Sequence, residues 1–231
     1  MLALALAQVL LLAPAQDAQA AAPRSYRPEF ENARVRVTRV VYRPRERVAV
    51  HDHPANPTVY VYLRDSGPVR FVHAGDEPFT LTRPAVRAGG FRLSKGAKET
   101  HSVESLTNRL TEYLRVELKG LAVDRRVWHG RFPPEPRAAG SRGGQKVRYE
   151  DKQVRITRVT CAARKTCAGL STREVASLLV ALTPARLVPA DIDAELTLAL
   201  GQTMWAEAGA APTLINASDR PAEFLRIDLK Q

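Results

Sequence analysis

The chain contains itself twice. VRVTRV at 35–40 returns as VRITRV at 154–159, an offset of 119 residues, and EYLRVELK at 112–119 returns as EFLRIDLK at 223–230, an offset of 111. Arg45, Ala49 and Leu63 face Arg164, Ala168 and Leu182 in the same register. A repeat of this length means that one supersecondary unit is built twice, so a fold that explains one half must explain both. The shortening between the two matching blocks falls in connecting segments, where deletions cost least.

Each copy is made of short runs in which apolar and polar residues alternate, such as VRVTRVVY, TVYVYL, YLRVEL and FLRIDL, separated by Pro and Gly. Period two is the signature of strands, and no long 3.6-residue periodicity competes with it. The expectation is an all-β protein of two tandem small β-barrels of jelly-roll type, because closure or a second sheet hides strand edges. The predicted organisation is a leader over 1–20, an N-terminal domain over 24–120, a linker over 121–148 and a C-terminal domain over 149–231. The linker contains FPPEPRAAGSRGGQ, whose Pro and Gly density disfavours regular structure. Trp128 and His129 read as residues that pack this linker onto a barrel rather than as site residues. In the second copy Met204, Trp205 and Phe224 read as core.

The 231 residues carry a net charge of +11, which would ordinarily suggest a nucleic-acid partner. The basic residues are mostly arginines strewn along the chain, however. Arg34, Arg36, Arg39, Arg43, Arg45 and Arg47 read as solvated strand faces, so no nucleic-acid partner is expected. Residues 2–13, LALALAQVLLLA, have the length of a signal-peptide core and are too short to span a bilayer. Ala18-Gln19-Ala20 supplies a small-x-small cleavage pattern, although no basic residue precedes the apolar run. The expectation is a periplasmic or secreted protein with no stable membrane anchor. In that setting Cys161 and Cys167, six apart in CAARKTC, read as a disulfide across a short hairpin.

The chemistry sits in the first copy. AVHDHP places His51 and His53 two apart in a strand, so both side chains leave the same face. Val59, Val61 and Leu63 extend that parity if the insertion at 54–57 does not shift it. His101, in KETHSVES, lies on a later strand that a barrel can bring alongside. Three neutral imidazoles on two neighbouring strands form a facial triad suited to one divalent ion, Fe, Mn, Zn, Ni or Cu, with open positions for water or substrate. Glu104 lies three residues past His101 and alternation puts it on the opposite face, where it reads as an exposed charge. Arg92 and Arg47 are candidate charge partners for an anion near the site.

These residues resemble the cupin superfamily in its two-domain form, HDHP matching the first motif's His-x-His and HSVES the second motif's His. The resemblance covers about residues 30–231. It implies a six-stranded barrel per copy, commonly with one metal at the mouth, and it admits a homodimer formed through the sheets. The carboxylate that usually follows the histidine pair is replaced by Pro57 and Thr58, the opening Gly by Arg45 and the closing Asn by Ser105. A triad without carboxylate resembles the three-histidine thiol dioxygenase branch, which implies an anionic substrate. In the second copy His51 becomes Leu170, His53 becomes Thr172 and His101 becomes Pro212, so that copy is expected to bind no metal in this way. Three readings follow: a metal-dependent oxidoreductase or isomerase acting on a small anion, a non-enzymatic ligand- or sugar-binding protein with a vestigial site, and an assembly protein.

Overall fold

The computed structural model describes residues 16–124, 126–134, 143–170, 174–191, 194–210 and 212–230. The apolar run at 2–13 lies outside the described residues. The N-terminal unit is built from β1 (Gln16–Asp17), α1 (Ala18–Ala21), β2 (Tyr26–Glu31), β3 (Val35–Tyr42), β4 (Arg47–His53), β5 (Thr58–Tyr62), β6 (Val69–His73), β7 (Phe79–Arg83), β8 (Phe91–Ser94), β9 (Glu99–Ser105), β10 (Thr111–Leu118) and β11 (Gly130–Phe132). The C-terminal unit follows with β12 (Gly144–Glu150), β13 (Val154–Cys161), β14 (Ala176–Ala181), β15 (Ala185–Pro189), β16 (Leu196–Leu198), β17 (Thr203–Ala206), β18 (Leu214–Asn216) and β19 (Ala222–Leu229).

Each unit is two sheets face to face, with no sheet closed among the described residues. In the N-terminal unit the sheets run β1-β4-β9-β6-β7 and β11-β8-β5-β10-β3-β2; in the C-terminal unit they run β12-β13-β19-β14-β17 and β16-β15-β18. The matching central pairs, β10 with β3 and β19 with β13, are antiparallel over eight residues each. The duplication extends to the backbone. Arg45 and Arg164, equivalent by the repeat, both adopt left-handed φ, 57° and 54°, where glycine fits at lower cost.

Alternation sorts side chains between two interiors. Val59, Val61, Leu63, Leu114, Val116 and Leu118 leave one face of their sheet and meet Ile156, Leu178, Val180, Leu225, Ile227 and Leu229 of the other unit in one apolar cluster. The broad sheet of each unit is therefore covered on both faces. The opposite parity lines the lumens. Tyr26, Val40, Tyr42, Tyr60 and Tyr113 fill the N-terminal one, while Val159, Cys161, Leu179, Ala181 and Phe224 fill the C-terminal one.

Several sequence expectations change here. Val59, Val61 and Leu63 do not continue the face of His51; the insertion at 54–57 shifts the phase, and Tyr60 and Tyr62 take the lumen side. Arg39 is not solvated: it is 8% exposed and pairs with Glu29 and with Glu112, the latter at 2.6 Å. Trp128 is fully buried and donates from Nε1 to the Ser94 carbonyl at 2.9 Å, while β11 adds itself to β8. The span read as linker thus contributes a strand to each unit, β11 to the first and the start of β12 to the second. Gln16–Asp17 runs parallel to His51 and Asp52, and Ala18 is buried in the N-terminal lumen cluster, so the tail of the segment read as leader packs against β4. No helix among the described residues is long and apolar enough to cross a membrane.

Candidate metal centre

His51 reaches the lumen by a bulge. In the pairing of β4 with β9, Val48 faces Val103 and His51 faces His101, so β4 carries one extra residue between the two pairs. Without that residue His51 would share a face with Arg47 and Ala49, which are exposed. With it, Val48, His51 and His53 all point inward, as bulges near functional sites often re-aim a side chain. His101 arrives from β9, whose residues Glu99, His101, Val103 and Ser105 share the lumen face.

The three histidines are brought together: one ring nitrogen from each of His51, His53 and His101 lies within 4.8 Å of the others, and all three side chains are buried. Their ring centroids are 4.9 to 5.1 Å apart. Burial pushes all three below the usual histidine range, His101 to about 3 with help from the charge His51 would carry. Neutral imidazoles are the form that donates a lone pair to a metal.

Two details fit an ion. Both ring nitrogens of His101 are buried with no hydrogen-bond partner, a costly state for a polar group unless something occupies the space between the rings. His51 places Nδ1 at 2.7 Å from the Ala49 carbonyl oxygen, which can only accept, so the proton sits on Nδ1 and Nε2 keeps a lone pair, 2.9 Å from the Tyr26 hydroxyl. A carboxylate oxygen of Glu99 lies 3.7 Å from His101 Nδ1, beyond hydrogen-bond distance.

The cavity beside the triad is lined by residues that sequence reasoning missed, among them Tyr60, Tyr62, Phe71, His73, Arg83 and Glu99. Single tyrosines in alternating strands carry no local signal. Comparing the copies would have supplied one, since Tyr42, Tyr60, Tyr62 and Tyr113 face Cys161, Leu179, Ala181 and Phe224 in the matched registers. His73 pairs with His101 across β6 and β9, and its ring centroid is 5.0 Å from that of His101.

Arg92 lies in this cavity, 4.0 Å from its guanidinium carbon to the Tyr60 ring centre, with Nε buried and unpartnered. Burial opposes its charge, and Tyr60 and Tyr62 more than offset that. Arg83 is held below the usual arginine range by burial and by Arg92. Neither guanidinium pairs with a carboxylate among the described residues. Arg115 differs: it is committed to Glu117 at 3.1 Å and to the Tyr60 hydroxyl at 3.1 Å. Arg47 is on the outer face, paired with Glu104 at 3.0 Å, so it does not serve the cavity; Glu104 itself is half-exposed between Arg47 and Arg70, facing away from His101.

Outside the first unit, Cys161 and Cys167 are joined in a disulfide with Cα atoms 4.8 Å apart. Leu170, the equivalent of His51, is buried in the apolar cluster of the second lumen.

No family model matches the chain, and no curated protein matches it. Solved structures do. AerE from Microcystis aeruginosa superposes with a TM-score of 0.61 at 12% identity, covering 89% of this chain and 97% of that one. Salicylate 1,2-dioxygenase from Pseudaminobacter salicylatoxidans gives 0.52 at 12%, covering 89% and 76%. A cupin 2 conserved barrel domain protein from Leptotrichia buccalis gives 0.50 at 11%, covering 89% and 88%. These likenesses establish a shared fold.

Proposed function

We propose that this chain, which has the cupin fold in tandem duplicate, holds one divalent metal ion on His51, His53 and His101 of its N-terminal unit and presents it to a small organic anion. The observation that carries the reading is His101, buried with both ring nitrogens unsatisfied in a cluster of three neutral imidazoles. Bound there, the ion would act as a Lewis acid toward an oxygen or sulfur of the ligand. The protein's own part is positioning. The Ala49 carbonyl fixes the His51 tautomer, and Glu99 faces His101. Arg83 and Arg92, two like charges without carboxylate partners, are relieved when an anion sits between them. Other proteins of this fold have been solved with small organic anions: the salicylate 1,2-dioxygenase as gentisate adducts, and an oxalate decarboxylase from Lactobacillus farciminis as a formate complex.

The test is metal content by plasma mass spectrometry on untagged protein. One ion per chain is expected, lost on His51→Ala, His53→Ala or His101→Ala with the fold retained by circular dichroism. Metal-free wild-type protein after exposure to each of the five ions overturns the reading. Export belongs to the same proposal: N-terminal sequencing of the secreted or periplasmic protein is expected to begin at Ala21, and a start before Gln16 would reject cleavage there.

A further inference from the structure

The row of arginines beside the triad does not end at the cavity wall. Arg131 on β11 pairs directly opposite Arg92 on β8, so both side chains leave the same face of the sheet. Like charges directly opposite one another weaken a sheet, so stability gives no reason for this pair. Arg92 is 8% exposed with its Nε unpartnered, whereas Arg131 is exposed and lines a separate trough.

The segment joining β7 to β8 is the wall between the two spaces. Arg83, Pro84 and Val86 line the metal cavity; Ala85, Val86, Arg87 and Gly90 line the trough, and Tyr62 is common to both. Hydrogen bonds pin this wall: Gly89 N–H donates to the Tyr62 carbonyl at 2.7 Å, Tyr62 N–H to the Gly90 carbonyl at 2.9 Å and Ser66 N–H to the Val86 carbonyl at 3.1 Å. Across the trough stand Pro133, Pro134 and Phe132, whose ring stacks on Phe91 at 4.5 Å. The trough is therefore formed before a ligand arrives, which spares the cost of ordering it.

The charges of the two spaces do not balance. Arg83 and Arg92 in the cavity and Arg87 and Arg131 in the trough form no ion pair among the described residues, and Glu99 is the one carboxylate lining either space. Asp65 accepts the Ala88 N–H at 2.8 Å and does not pair with Arg87. A divalent ion on the triad would add to this excess, and a ligand with a single negative group would leave the outer pair unanswered. We propose that the ligand is a dicarboxylate that spans both spaces: one carboxylate meets the ion, Arg83 and Arg92, the other lies between Arg87 and Arg131, and the apolar body between them crosses at Tyr62 and Val86. This rests on the reading of the cavity as a metal centre for a small organic anion. Guanidinium forks at both ends match the planar, two-oxygen geometry of a carboxylate.

The test is calorimetric titration of the metal-loaded full chain with straight-chain α,ω-dicarboxylates from malonate to azelate, each against the monocarboxylate of equal length. At the length that fits, the diacid is expected to bind about tenfold more tightly than its monoacid, because its second end gains a charge-assisted hydrogen bond. Arg87→Gln combined with Arg131→Gln is expected to remove that advantage; both side chains are exposed, and an unchanged melting temperature and metal content show that fold and triad stand. No advantage at any length, an advantage that survives the double variant, or an equal weakening of both acids overturns the outer subsite and leaves the site for one anion standing. A metal-loaded chain that binds neither series overturns the anion reading as well, and a chain that takes up none of the five ions overturns the triad.

Discussion

The two lumens share a frame and differ in what fills it. Position by position along β10 and β19, Arg115 and Glu117 match Arg226 and Asp228, both pairs buried and bonded at 3.1 and 2.8 Å. Around that common pair the first lumen carries imidazoles and phenols, and the second carries Leu170, Leu179, Ala181, Phe224 and a disulfide. By the register of β8 with β5 and of β17 with β14, Arg92 corresponds to Met204. The shared pair belongs to the scaffold and the differing residues belong to the site. That separation removes Arg115 from the list of anion-binding candidates despite its place in the cavity wall.

The largest effect that can break this comparison is removal of the shared cation. Arg115→Leu and Arg226→Leu each strand a buried carboxylate, and breaking a buried pair costs about 3–5 kcal/mol. Comparable losses in chemical denaturation are expected from both. A loss confined to Arg226→Leu, with Arg115→Leu stable but unable to bind small anions, would return Arg115 to the site.

Acid should separate the lumens next. His51, His53 and His101 have folded-state pKa values below the usual histidine value, so below about pH 6.5 the unfolded chain takes up protons that the folded chain refuses. Stability therefore falls as pH drops, for His101 between about 6.5 and about 3, at roughly 1.4 kcal/mol per pH unit for each histidine. All five histidines of the chain lie before residue 130, so metal-stripped protein is expected to lose hydrogen-exchange protection in β4 and β9 before β13 and β19. Simultaneous loss in both units would mean that the shared apolar interface makes them one cooperative body.

Reduction acts on the other side. The disulfide closes a short loop between Cys161 and Cys167, and a closure of that size stabilises by about 2 kcal/mol in the chain-entropy account. Reducing agent should lower the melting temperature while leaving metal content at the His triad unchanged. Loss of metal on reduction would show that the second lumen supports the first.

Much of this contrast was legible in the amino-acid order. The repeat fixed the register of β3 with β13 and of β10 with β19, and the missing histidines of the second copy marked its lumen as different. The strand alternation was read correctly for period but not for what it faced. Arg115 and Glu117 alternate with apolar residues along β10, yet the apolar side is covered by the second unit and the polar side by the lumen. No local pattern reports that both faces are buried, and the same blindness made Arg39 look solvated. The bulge ahead of His51 and the phase shift at 54–57 were likewise invisible, because each depends on a partner strand distant in sequence. The His triad survived these errors since His51 and His53 keep a common face whichever way β4 is phased.

The smallest expected effect sharpens the comparison at a single oxygen. Tyr113→Phe gives the first lumen the residue that the second has at this position, Phe224, without changing ring size or burial. The hydroxyls of Tyr26, Tyr42 and Tyr113 form a chain: with Nδ1 of His51 donating to Ala49, Tyr26 donates to His51 Nε2 at 2.9 Å, Tyr42 to Tyr26 at 2.7 Å and Tyr113 to Tyr42 at 3.0 Å, so Tyr113 stands at the far end without touching a histidine. One neutral hydrogen bond is lost, about 1 kcal/mol, and Tyr42 loses the donor that polarises it. Melting temperature should fall by a few degrees with metal content intact. If the phenols acted only as packing, the change would be nearly neutral in stability. A loss smaller than that of Tyr42→Phe, which removes two bonds of the chain, but in the same direction is what a directed chain ending at His51 requires.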